Sequence, residues 1–257
     1  SHYSKDSYDG ICFGNVVKKG IKWLLSRQRK DGQIGASIRG HKTYNHLICS
    51  LALNEAYGRT GGSLLESPAR RALDFTLAMQ NLGTDTYRFG WRYGVRPRDN
   101  DASVSGFAVM VLKSAELSGL RFSRDIAYEG ASAFFDSVTS PVYYRVGYYR
   151  PPNGRCHHPN MTGVATMYRL FVEREQHDAK IGGGVQILLS DLPRWKPGQI
   201  DFYYWYYGSL ALFQYGGEAW ETWNRAMVKA LLPNQWRDRG VCNNGSWDPV
   251  GCWSRKG

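Results

Sequence analysis

Apolar residues recur at helical spacing along this 257-residue chain, and no segment alternates as a strand would. Some segments carry an apolar stripe with charged residues opposite, as in residues 15–30, NVVKKGIKWLLSRQRK. Others are apolar on nearly every side, as in residues 102–119, ASVSGFAVMVLKSAELSG. A helix that is apolar all round is a buried one. The pattern therefore predicts outer amphipathic helices and inner buried helices.

The predicted outer helices end at regular intervals. Their ends lie near Gln28, Gln80, Asp136, Asp191 and Gln235, which are 52, 56, 55 and 44 residues apart. An interval of this length accommodates two helices, so each repeat is predicted to be a helical hairpin. We expect nine main helices in an all-α fold, with the hairpins closing into an (α/α) toroid. Residues 1–257 are predicted to form a single domain of this kind.

The pattern contains five outer helices but only four inner ones. After Gly245-Ser246-Trp247 it requires another inner helix, which the residues up to Gly257 do not supply. A ring that lacks one inner helix exposes apolar surface. We therefore expect the fold to be completed by a continuation of the chain or by another polypeptide.

A Gln near a helix end is followed by Gly and Trp at three places. These are Gln28…Gly32, Gln80…Gly90-Trp91 and Gln235…Gly245-Ser246-Trp247. The pattern resembles the QW motif of squalene-hopene cyclases and related prenyltransferase/squalene-oxidase repeat proteins. Residues 96–120 and 193–220 are also similar to bacterial repeat proteins of this superfamily. The resemblance spans nearly the whole chain and implies the terpenoid cyclase/prenyltransferase-like toroid, but it does not specify a reaction.

Asp99-Asn100-Asp101 precedes a predicted inner helix and resembles the Asp-x-Asp-Asp-Thr segment of class II terpene cyclases. The resemblance implies that Asp101 is an acid that protonates an isoprenoid and that Asp99 is its neighbour. Ala102 and Ser103 stand where that segment has Asp and Thr. An Asp just before a helix is also a common N-cap, so a purely structural role is the alternative.

The inner helices align so that Asp101 corresponds to Lys42, His158 and Asp201. We expect these positions to form a polar ring at one mouth of the toroid, where helix N-termini favour anions. The candidate ligand-binding residues, which include aromatic side chains expected to line the cavity, are Tyr44, Tyr93, Phe107, His158, Asp201, Tyr204 and Trp205. The alternative is that the aromatic side chains only pack within buried helices.

Cysteine and histidine residues raise two further alternatives. Cys156, His157 and His158 are residue types that bind zinc, although solvated loop histidines are the simpler interpretation. Cys242 and Cys252 flank a Gly/Asn-rich turn, and a disulfide between them would favour a periplasmic or secreted location. Unpaired thiols in a reducing compartment are equally compatible with the sequence. No cofactor is predicted.

The formal net charge is +11, but the basic residues are scattered and no zinc-finger or RNA-binding motif is present. We therefore expect no nucleic-acid partner. No apolar run approaches the roughly 18 residues of a membrane span. Two functions remain: a binding or scaffold module that takes a hydrophobic small molecule or a protein partner, and a cyclase-like enzyme that acts on an isoprenoid. The sequence leaves the oligomeric state open.

Overall fold

The structure is a computed structural model. It describes residues 14–35, 42–81, 89–95, 99–152, 158–172, 178–238, 240 and 242–248. These residues form nine α-helices and no β-strand, which confirms the predicted all-α class and helix number. The helices are α1 (Gly14–Arg27), α2 (Lys42–Thr60), α3 (Ser63–Ala78), α4 (Ala102–Leu117), α5 (Arg124–Ser137), α6 (Asn160–Val172), α7 (Ala179–Ser190), α8 (Phe202–Tyr215) and α9 (Gly217–Leu231). None of the described helices is both long and apolar enough to cross a membrane.

Burial separates the helices as the hydrophobic pattern predicts. Twelve of the 16 residues of α4 and ten of the 13 residues of α6 are buried. In contrast, α1 has no buried residue and α9 has two in 15. The helices that are apolar on every side are therefore the interior ones.

The first compact unit comprises residues 1–134 and contains α1 to α4 and most of α5. Its core is the contact of α2 with α3 and α4. Gly58 in α2 allows a close approach, because a Cβ atom there would lie 2.3 Å from the Ser118 hydroxyl oxygen. Leu47, Leu53 and Val111 are fully buried in this unit.

The second compact unit comprises residues 135–257, in which α6 packs against α7 and α8. Gly163 in α6 faces the backbone of Gly208 in α8. Gly208 also lies under the indole of Trp223 in α9, since a Cβ atom there would meet the ring at 2.4 Å. Small residues thus bring the helices of this unit close together.

Four turns that follow outer helices share one hydrogen-bond pattern, and we call them turns 1 to 4. A backbone N–H at the start of each turn donates to a later carbonyl, and the residue before that carbonyl donates its N–H back. The first residue, the residue with the accepting carbonyl and the residue that donates back are Arg29, Gln33 and Gly32; Asn81, Gly90 and Phe89; Ser140, Arg145 and Tyr144; and Trp236, Ser246 and Gly245. The residue that donates back has a positive φ of 56–93° in all four turns.

The Gln residues of the sequence motif connect these turns to neighbouring helices. The Gln28 amide donates to the carbonyl of Pro68 in α3 at 2.9 Å. The Gln80 amide donates to the carbonyl of Ala127 in α5 at 3.0 Å, and also to Phe89 O within its own turn at 2.8 Å. Each of these two side chains therefore joins the end of one outer helix to the next outer helix.

The Trp residues of the motif fasten two turns to the helix that precedes them. The indole of Trp91 donates to Thr76 O in α3 at 2.8 Å, and that of Trp247 donates to Leu231 O in α9 at 2.8 Å. Thr76 and Leu231 each lie four residues before the motif Gln, so the two bonds are equivalent. The sequence pattern predicts this packing, and the structure confirms it.

The residue that follows turns 1 to 3 connects each turn to the next inner helix. The N–H groups of Ile34, Trp91 and Val146 donate to side chains near the start of α2, α4 and α6. The acceptors are His46 Nδ1 at 3.2 Å, Ser105 Oγ at 2.9 Å and Thr162 Oγ1 at 3.1 Å. The repeat is therefore held together by the same contacts three times.

Candidate functional site

Asp101 lies at the N-terminus of α4 and is fully buried. Its Oδ1 accepts a hydrogen bond of 2.7 Å from the Val104 N–H, which makes it the N-cap of the helix. Asp99 has a different environment, since its side chain is 55% exposed and pairs with Arg92 at 3.0 Å. The two carboxylates proposed as an acidic pair therefore have separate partners.

Three of the candidate aromatic residues lie together near this helix start in unit 1. The ring of Tyr44 makes edge-to-face contacts with Tyr93 and Phe107, with centroid distances of 5.7 and 5.5 Å. The Tyr44 hydroxyl is hydrogen-bonded to the Ser103 hydroxyl. Tyr93 is 44% exposed, so the cluster reaches the surface of the unit. The sequence correctly groups these three residues.

Asp201 occupies the corresponding position at the start of α8 in unit 2. Its Oδ1 accepts from the Tyr204 N–H at 2.9 Å, and its Oδ2 accepts from the Asn160 amide at 2.9 Å. His158 Nε2 lies 3.9 Å from the same Oδ2, which is beyond hydrogen-bond length. His158, Asn160 and Asp201 thus meet between the N-terminal ends of α6 and α8.

Tyr204 and Trp205 belong to the wall of this site rather than to its opening. The Tyr204 hydroxyl donates to Asp191 O at 3.0 Å, and burial raises the pKa of this phenol above its usual value. Tyr204 therefore remains a neutral donor. Trp205 is 2% exposed and packs against Phe202 and Trp195, with centroid distances of 5.5 and 6.5 Å.

Sequence reasoning missed Asn160, Trp195 and Phe202. Asn160 is 9% exposed, and within the described residues its Oδ1 has no hydrogen-bond partner. A buried amide oxygen without a donor is costly, so it is a natural acceptor for a ligand. Trp195 is half-buried and Phe202 is 39% exposed beside it. Its position in the repeat, two residues after His158, is the one signal that draws attention to Asn160.

The structure tests the metal and disulfide alternatives only in part. Cys156 and His157 lie outside the described residues, as does Cys252. Among the residues that are described, no group of three His, Cys, Asp or Glu side chains is arranged to hold a metal ion. Cys242 is a free and exposed thiol.

Asp99 and Asp101 belong to unit 1, whereas His158 and Asp201 belong to unit 2. Within each unit the structure brings the expected residues to the N-terminal ends of inner helices. A single mouth shared by all four residues stays a prediction, as does the toroid.

No known protein family model matches this chain, and no curated protein sequence matches it significantly. The chemistry of the site therefore has to be argued from its geometry.

Proposed function

We propose that the chain is a binding module of the prenyltransferase/squalene-oxidase repeat class, folded as an (α/α) toroid. Its ligand or partner meets the N-terminal ends of the inner helices. The repeated Gln and Trp contacts of turns 1, 2 and 4 support the class, because the motif residues make equivalent bonds in each. The function rests on a separate observation at the aspartates.

The observation that carries the binding function is the capping geometry of Asp101 and Asp201. Each carboxylate accepts a backbone N–H three residues later, at 2.7 and 2.9 Å. A cyclase acid must instead present a proton to its substrate. Carboxylates engaged as N-caps stabilise the helices and supply no such proton. This favours a binding module over a cyclase.

The unit 2 site is suited to a ligand that is apolar with a hydrogen-bond donor. Phe202 and Trp195 offer aromatic surface, and the Asn160 carbonyl offers a buried acceptor. A hydrophobic small molecule with a hydroxyl group, or the side chains of a partner polypeptide, would use both features. Ligand sites commonly combine apolar walls with a few polar groups of this kind.

The second candidate, a cyclase that protonates an isoprenoid through Asp101, rests on the complete burial of that carboxyl group. A buried acid beside an aromatic cluster is what such chemistry requires. Binding and cyclisation make different predictions for the same compounds, so one experiment distinguishes them.

The test is to incubate the protein with squalene, oxidosqualene and linear prenyl diphosphates, and to measure both retention and conversion by mass spectrometry. A binding module should retain a compound unchanged, and Asn160→Leu should weaken retention because the buried acceptor is lost. Asp101→Asn should have no effect on retention and should keep the melting temperature, since Asn also caps helices. Product formed by the wild type and lost in Asp101→Asn would overturn the binding function in favour of the cyclase. Retention of none of the compounds would contradict the small-molecule form of the proposal.

A further inference from the structure

The inner helix α8 exposes an apolar stripe, which we define as Tyr206, Leu210 and Phe213. Tyr206 is 46% and Phe213 66% exposed, and Leu210 is half-buried between them. The other helices of this type differ, since α4 and α6 bury most of their residues whereas α8 buries six of 14. An apolar stripe on an otherwise buried type of helix marks a surface that takes a partner.

The stripe lies on the side of α8 away from α6. Gly208 faces α6, because Gly163 of that helix approaches the Gly208 backbone. At about 100° per residue, Tyr206 and Phe213 are roughly 160° and 140° from Gly208 around the helix. The layer in which α6 packs against α8 can therefore continue on the far side of α8.

Turn 4 has the geometry of the turns that lead into inner helices. Its two backbone hydrogen bonds repeat those of turns 1 to 3, and Gly245 has the same positive φ as Gly32. In turns 1 to 3 the next N–H donates to a His, Ser or Thr side chain on the following inner helix. Within the described part of the chain, the corresponding N–H of Trp247 donates to no side chain.

We propose that the α8 stripe and turn 4 form a docking surface for an apolar helix supplied by a partner polypeptide. The inner helices of this chain are 13 to 19 residues long, so the partner helix has a similar length. A His, Ser or Thr side chain near its N-terminus accepts from the Trp247 N–H. Its apolar face covers Tyr206, Leu210 and Phe213. This surface goes beyond the ligand site, since it uses neither Asn160 nor Asp201.

The test uses a fluorescent peptide with the sequence of α2, residues 42–60, which carries His46 in its first turns. The wild type should bind this peptide saturably in an anisotropy titration. Phe213→Ser should weaken binding by about tenfold or more, because a central apolar contact is lost. The matched control is Leu64→Ser, which removes an 86% exposed leucine from α3 in unit 1 and should leave binding unchanged. A peptide in which His46 is replaced by Leu should bind more weakly than the α2 peptide.

Two outcomes would overturn the proposal. One is the absence of saturable binding, or equal binding by the wild type and Phe213→Ser. The other is a wild-type dimer in sedimentation experiments that becomes a monomer in Phe213→Ser, because the occupant would then be a second copy of this chain. Unchanged melting temperatures of Phe213→Ser and Leu64→Ser would show that both variants are folded, as expected for exposed positions.

Discussion

At the scale of single residues, His46 shows how the repeat contacts determine a protonation state. Its Nδ1 accepts from the Ile34 N–H at 3.2 Å, so this nitrogen carries no proton. The proton of the neutral ring then lies on Nε2, which is 3.1 Å from the Thr76 hydroxyl. A second ring proton would point at the Ile34 N–H. The site therefore requires a neutral imidazole.

Acid should destabilise the protein through this histidine. Burial is the main cause that lowers the pKa of His46 from 6.5 to about 4, and it outweighs the opposite effects of the Ala72 carbonyl and Asp31. The unfolded chain takes up a proton near pH 6.5, whereas the folded protein does so only near pH 4. The free energy of unfolding should thus be at its full value above pH 6.5 and fall by about 3 kcal/mol towards pH 4.

Urea titrations at a series of pH values would measure this loss. The interval from pH 6.5 to 5 is the informative one, because the lowered pKa values of Glu116 and Asp136 act at lower pH. In these carboxyls, burial is outweighed by the cations Lys113 and Arg124, and Lys180 and Arg169, respectively. A His46→Gln variant should be less stable but nearly independent of pH in this interval. A flat wild-type profile would show that His46 already accepts a proton in the fold.

Trp91 is the residue on which turn 2 depends most. It is fully buried, and its indole donates to the Thr76 carbonyl. Trp91→Ala should cost about 3 kcal/mol or more, because it opens a large cavity and leaves a carbonyl unpaired. Trp23→Ala is the matched control, since Trp23 is 56% exposed and should change stability by less than about 0.5 kcal/mol. Equal losses in chemical denaturation would contradict this account of the motif.

At the scale of elements, two adjacent glycines in α7 should respond in opposite directions to the same substitution. A Cβ atom on Gly183 would lie 2.3 Å from the Tyr144 ring, whereas a Cβ on Gly182 meets nothing within 4 Å. Gly183→Ala should therefore destabilise the protein by roughly 1–3 kcal/mol. Gly182→Ala should stabilise it by up to about 1 kcal/mol, because alanine favours the helix.

Thermal melting of the two variants would measure this difference. A Gly183→Ala protein that melts at or above the temperature of Gly182→Ala would mean that Tyr144 moves aside without cost.

The sequence predicts the helices well but turn 3 poorly, and the reason is local. Turns 1 and 4 place a glycine at the position of positive φ, which the motif search detects. Turns 2 and 3 place Phe89 and Tyr144 there, with φ of 68° and 56°. Side chains larger than Gly rarely adopt this conformation, so no sequence pattern indicates it. Their rings pack on Gly130 and Gly183 of the following outer helices, and such contacts appear only in three dimensions.

At the scale of the whole molecule, periodicity is informative within a repeat and weak between repeats. The alignment of Asp101 with Asp201 predicts their equivalent caps correctly, because a cap depends on a few neighbouring residues. The pairing of Asn160 with Asp201 spans 41 residues and two helices, and it was not predictable from spacing. The closure of a ring depends on contacts that are longer still. The toroid therefore remains a proposal while the helices and caps are established.

The reach of the motif glutamines has a consequence for synthesis on the ribosome. Gln28 finds its partner 40 residues later, and Gln80 finds its partner 47 residues later. At about 5–20 residues per second, these intervals correspond to roughly 2–9 s of translation. Each hairpin can therefore be secured as soon as the next outer helix emerges, before the rest of the chain exists. A nascent chain of this kind exposes only its newest repeat to the cytosol or to chaperones.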